Sequence, residues 1–186
     1  KEVFLYVKPK FQQITSNRIL EHIIGKTKDF SMTRTLFHKD FIPLSRINVH
    51  LDFKHNDRII NDVDDFFKKN NRITIIAKGG SGKTTFLKKQ YIDCLKKYNK
   101  IPVLINFREF NQYTIEKKAG EIDFKKNIIY NILLNHLVFN KISIDENIGE
   151  EMFNSGKFYF LFDGFDELEL DKKSVILNDL LSFITR

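Results

Sequence analysis

The hydrophobic positions of this chain fall into two kinds of pattern. Three short apolar runs carry no alternation: RITII (72–76), IPVLINF (101–107) and FYFLF (158–162). An unbroken apolar run suits a strand covered on both faces, as in a parallel sheet between helices. Strands are therefore expected at 72–77, 101–107 and 157–162. Elsewhere the apolar residues recur at helical spacing. DRIINDVDDFFKK (57–69) has them at 59, 60, 63, 66 and 67, so one face of a helix there is apolar. Further helices are expected over 84–98, over KKNIIYNILLNHLVF (125–139), more weakly over DENIGEEMF (145–153), and over KKSVILNDLLSFI (172–184). Strand–helix alternation after residue 70 predicts an α/β fold with a parallel sheet. Residues 1–55 read as a small mixed α/β N-terminal region of unassigned role. It holds strand-like EVFLYV, a short helix NRILEHIIGK (17–26) with Ser16 as cap and Gly25 as stop, and the alternating RINVHLDF (46–53). Residues 56–186 form the second unit.

Two of the expected strands end in candidate chemistry. The run 72–76 leads into AKGGSGKTT (77–85), then into FLKKQYIDCLKK (86–97): strand, glycine-rich turn, helix. In that context the segment reads as a phosphate-binding loop. Gly79, Gly80 and Gly82 let the backbone turn tightly and approach phosphate oxygens. With Ser81 and Thr85 they contribute N–H groups to an anion-binding nest at a helix N-terminus. Lys83 would reach the β- and γ-phosphates, and the Thr84 hydroxyl would sit on the bridging Mg²⁺. Ala77 stands at the first position of G-x-x-x-x-G-K-[ST], a mild departure if its backbone keeps a negative φ. The run FYFLF ends in Asp163, then Gly164, Phe165, Asp166 and Glu167. Asp163, at the carboxyl end of its strand, would hold the Mg²⁺, which takes oxygen ligands and keeps several waters. Glu167 or Asp166 would act as general base on the attacking water. Ligands of open α/β sheets bind at the carboxyl ends of strands, which makes the two motifs one site.

Composition narrows the picture without redirecting it. The chain has 186 residues, 42% hydrophobic, with 19 Phe, enough for a core. Three prolines and no low-complexity tract argue against a linker or disordered protein. The net charge of +7 is spread over pairs such as Lys88-Lys89 and Lys172-Lys173. These read as solvated helix faces rather than one basic block, leaving direct nucleic-acid binding as a side alternative. Cys94 is the sole cysteine, so neither an internal disulfide nor a Cys-based zinc site is available. It is expected as a small buried apolar residue in a reducing, cytoplasmic setting. The histidines show no metal-ligand spacing. No apolar run approaches the roughly 20 residues of a membrane-spanning helix. The chain begins at Lys1, and VFLYV (3–7) is too short for a signal-peptide core, so it reads as an excerpt of a longer protein.

Together, AKGGSGKTT, PVLINFREF with Arg108-Glu109 after the second strand, and FLFDGFDEL resemble a NACHT domain of the STAND class of P-loop NTPases, over roughly residues 57–186. The small residue after the magnesium aspartate, followed by an acidic pair, is the most specific element. The resemblance implies a three-layer P-loop sandwich, ATP and ADP as ligands with Mg²⁺, and slow hydrolysis. It implies a signalling switch that exchanges ADP for ATP, self-associates on sensing a trigger and acts in innate immune or antiphage defence. In that class a sensor strand lies between the loop strand and the Asp163 strand, and it would follow residue 186. Two other readings stay open: a P-loop ATPase motor of AAA or DNA-handling type, and a nucleotide-gated scaffold that does not hydrolyse.

Overall fold

The computed structural model describes residues 17–35, 38–46, 52–98, 100–112, 127–139, 154 and 156–185. The architecture is mixed α/β, with short sheets of two strands each. Strand and helix expectations at 2–7 and 145–153, and the Ser16 cap, lie outside the described residues.

Helix α1 (Asn17–Phe30) runs straight through Gly25, where a stop was expected. Nothing lies within 4 Å of a Cβ built on Gly25, and its φ is not positive, so it is an ordinary helical residue. An antiparallel hairpin of β1 (Met32–Thr35) and β2 (His38–Pro43) follows. Of the alternating run 46–53, Arg46 ends a 3₁₀ turn, Asp52 and Phe53 are irregular, and 47–51 lie outside the described residues. The long helix expected over 57–69 is divided. Its first part is a tight hairpin, β3 (Lys54–His55) with β4 (Arg58–Ile59). Asn56 and Asp57 turn it with φ of 49° and 62°. Asn and Asp tolerate that left-handed region better than other side-chain-bearing residues, and hairpin turns require it. Only α2 (Val63–Lys69) is helical. Asp62 caps it by accepting from Asp65 N at 2.8 Å, and acids in its first turn and lysines in its last suit the helix dipole.

The segment 72–78 is irregular where a strand was expected. Strand propensity forms a strand only against a hydrogen-bonded neighbour, and none of the described strands pairs with it. Ile76 is 91% exposed. Helix α3 (Lys83–Lys97) then leads to β5 (Ile101–Asn106). After a 3₁₀ turn (Phe107–Gln112) come α4 (Ile128–Phe139), β6 (Phe158–Asp163), a second 3₁₀ turn (Phe165–Glu167) and α5 (Leu170–Ile184).

The parallel pair β5–β6 organises the core. Its register runs from Ile101 opposite Phe158 to Asn106 opposite Asp163, so the two carboxyl ends finish side by side. Val103, Ile105, Phe158 and Leu133 of α4 are buried with Ile176 of α5, which is fully enclosed. Along β6, Phe158, Phe160 and Phe162 share one face and stack in sequence, with centroids 5.6 and 6.3 Å apart. Phe183 of α5 meets Phe160 edge-on at 5.1 Å. Helices α4 and α5 are joined by buried polar bonds. Asp179 accepts from Ile128 N at 2.7 Å, and Asn127 donates to Asp179 O at 2.8 Å while capping α4 through Tyr130 N.

A separate aromatic group anchors α3. Phe53, Phe67 and Phe86 pack with centroids 4.8 to 6.4 Å apart, fixing the first turn of the helix against α2. At its far end, Lys97 reaches Asp64 of α2 at 2.6 Å and Asp93 at 3.4 Å. Partial burial opposes the charge on Lys97, but the bond to Asp64 and the two carboxylates outweigh it and hold its pKa above the ordinary value. None of the described helices is long and apolar enough to cross a membrane.

Candidate functional site

The glycine-rich loop turns into α3 through two left-handed residues. Gly80 has φ 74° and Gly82 φ 92°, conformations that strain any side-chain-bearing residue. Gly82 is the N-cap of α3, and its carbonyl accepts the first helical bond, from Phe86 N at 2.8 Å. Ala77 has no positive φ, so its replacement of the motif's first glycine carries no backbone strain. Left-handed glycines alternating with other conformations are the geometry that turns successive N–H groups inward as a nest. Ser81 N donates to Lys78 O at 3.3 Å, while the Ser81 hydroxyl is buried with no hydrogen-bond partner among the described residues. Lys83 folds back over the loop and donates to Ala77 O at 2.9 Å and Lys78 O at 3.2 Å. Thr85, half-buried in the first turn of α3, follows.

Thr84 and Asp163, 79 residues apart in sequence, meet here. The Thr84 hydroxyl donates to Asp163 Oδ2 at 2.7 Å. The contact follows from the fold: α3 packs on β5 and β6, with its N-terminus at the end of the sheet where β6 finishes. A hydroxyl and a carboxylate converging at this distance are a hard-oxygen pair, the donor type Mg²⁺ takes. A cleft of about 310 Å³ opens beside them, lined by Lys26 and Phe30 of α1, Lys88 and Tyr91 of α3, Asn106 at the end of β5 and Glu109 beyond it.

Beyond Asp163 the chain turns at Gly164, φ 73°. A Cβ there would stand 3.3 Å from Asn106 Oδ1 and 3.7 Å from Glu167 Cδ. Both side chains therefore crowd the space that glycine leaves open. Asn106 Oδ1 accepts from Arg108 N at 3.0 Å, and Glu167 N donates to Gly164 O at 3.0 Å. The Glu167 carboxylate faces Arg108, with Nε to Oε2 at 3.8 Å. Asp166 is exposed, and its backbone carbonyl accepts from Lys173 Nζ at 3.0 Å. Glu167 is exposed as well, but its Cδ lies 3.7 Å from a Cβ built on Gly164, which places its carboxyl group beside the end of β6.

The structure brings Thr84 and Asp163 into contact and sets Glu167 beside the same strand end. Sequence reasoning missed Asn106 and Asn111. Asn106 sits opposite Asp163 in the register, a position legible only once the two strands are paired. Asn111 Nδ2 donates to Glu167 O at 2.9 Å, and its Oδ1 accepts from Glu169 N at 3.1 Å. No motif marks it. No family model matches the chain, and neither a curated protein nor a solved structure shows significant similarity to it.

Proposed function

We propose that this chain is the nucleotide-binding part of an ATP-hydrolysing signalling switch, built on a NACHT-like P-loop sandwich. The observation that carries the reading is the 2.7 Å contact between Thr84 and Asp163 at the N-terminus of the helix that follows a glycine nest. Each part has a role. The N–H groups of the loop 79–85 would receive phosphate oxygens, helped by the positive end of the α3 dipole. Lys83, whose amine now caps carbonyls of its own loop, would turn to the β- and γ-phosphates. Thr84 and Asp163 would hold Mg²⁺, which neutralises charge on the phosphates when bound. Glu167 would take the proton of the attacking water, with Asp166 as the alternative base. Exchange of ADP for ATP, self-association on a trigger and a place in immune or antiphage defence follow from the resemblance carried by AKGGSGKTT, FREF and FDGFDEL.

The test is the metal dependence of binding. Asp163→Asn should weaken ATP affinity by about tenfold or more with Mg²⁺ present, about 1.4 kcal/mol, and by much less in EDTA. Titration of a fluorescent ATP analogue measures both. Equal losses in the two conditions would remove Asp163 from the metal shell and the reading with it.

A further inference from the structure

The turn after β5 and the turn after β6 are tied together by one side chain. Both ends of the Asn111 amide are used: Nδ2 donates to Glu167 O at 2.9 Å and Oδ1 accepts from Glu169 N at 3.1 Å. Its backbone carbonyl accepts from Lys172 Nζ at 2.6 Å, and Lys172 pairs with Glu169 at 2.9 Å. Asn111 therefore grips the acidic turn on both sides of Leu168, which is buried. The chemistry is particular to this residue. Aspartate supplies the acceptor but lacks the donor, and alanine lacks both. The 3₁₀ turn that carries Asn111 also carries Arg108, whose Nε faces the Glu167 carboxylate at 3.8 Å. That turn starts at the end of β5, where Asn106 stands opposite Asp163. The position of Glu167 relative to Asp163 is thus set from the neighbouring strand.

We propose that Asn111 is a positioning residue for Glu167, holding the acidic turn so that the carboxylate stays over the end of β6, with Arg108 as its charge partner. The proposal rests on the reading of this site as ATP-hydrolysing. A general base works only within hydrogen-bond reach of its proton, and a misplacement of about 1 Å can cost about a hundredfold in rate. Removing the grip should lower kcat and leave binding through the loop alone.

The experiment measures ATP affinity and single-turnover hydrolysis, with Mg²⁺, on the intact protein. The variants are Asn111→Ala, Asn111→Asp, Glu167→Gln, and Asn111→Ala combined with Glu167→Gln. Asn111→Ala should lose about 10- to 100-fold in rate with Kd within about twofold of wild type. Asn111→Asp keeps the acceptor for Glu169 N and serves if the alanine variant folds poorly; its second oxygen repels Glu167 O, so it should lose rate with Kd within about twofold of wild type, measured well below its own melting temperature. In the double variant the Asn111 change should cost nothing further, because it acts through Glu167. Wild-type rates in both Asn111 variants, or losses that multiply in the double variant, overturn the positioning role while leaving the ATPase reading intact. Wild-type protein that binds no ATP overturns that reading itself, and the role with it.

Discussion

Gly164→Ala puts one methyl group into a crowded turn of the candidate site. The backbone there is left-handed, φ 73°, and an L-residue held in that conformation costs roughly 1–2 kcal/mol. The new Cβ would meet Asn106 Oδ1 at 3.3 Å, tighter than an ordinary contact. If the amide gives way, its bond to Arg108 N is lost, at a net cost of about 1 kcal/mol. The less flexible unfolded chain returns about 0.5 kcal/mol. The balance is a loss of about 2 kcal/mol. For a domain of this size that lowers Tm by about 4–8 °C, measurable by calorimetry or urea unfolding. Glu167 Cδ lies 3.7 Å from the same Cβ, so hydrolysis should fall with stability. Gly25→Ala is the control, the same methyl added in the same chain. Gly25 is helical, with nothing within 4 Å of its Cβ, so there the change should stabilise by about 0.5–1 kcal/mol. Effects of the same sign at the two positions, or a Gly164→Ala loss below about 0.5 kcal/mol, would refute the reasoning.

Two further outcomes follow from the core. Burial pushes the Cys94 thiol up to about 12 from its ordinary 9.0, so at pH 8 it should resist maleimide in the native protein and react once the chain unfolds. Rapid labelling of native protein would contradict the burial. Tyr91 and Tyr159 are raised by the same cause, desolvation. Groups held protonated in this way favour the folded state below their unfolded pKa values. That stability should begin to fall above about pH 9 and be lost progressively as pH rises toward the folded values, as urea unfolding across pH 7–11 would show. A stability flat over that range would count against the burial of these groups.

The two motifs were legible because they are local. Glycines before Lys-Thr, and an aromatic run ending in aspartate, each need only neighbours in sequence. Their meeting was expected from two parallel strands ending together; Thr84 does reach Asp163, but through helix α3 packed on β5 and β6, since 72–78 forms no strand. Elements decided by distant partners were not. Ile59 and Ile60 fit a helical face, but the Asn56-Asp57 turn recruits 58–59 into a hairpin, and Asp62 starts the helix later. The run 72–77 has strand propensity yet pairs with none of the described strands. The hairpin β1–β2 (MTRT with HKDFIP) shows too little apolar alternation to announce itself. Gly25 read as a stop because glycine is poor in helices, yet the helix continues to Phe30, and Ile23 and Thr27 on either side of Gly25 are buried. Asn111 bonds to backbone atoms 56 and 58 residues away, and backbone atoms leave no pattern in a sequence.

The central claim is that the loop 77–85 holds a nucleotide. The most direct test is to denature the purified intact protein and identify what it releases, with Lys83→Ala beside it. Wild-type protein should release tightly held ADP and the variant none, because on the proposed reading Lys83 would supply the charge that meets the β-phosphate. Wild-type protein that releases nothing and binds neither added ATP nor ADP would contradict the account.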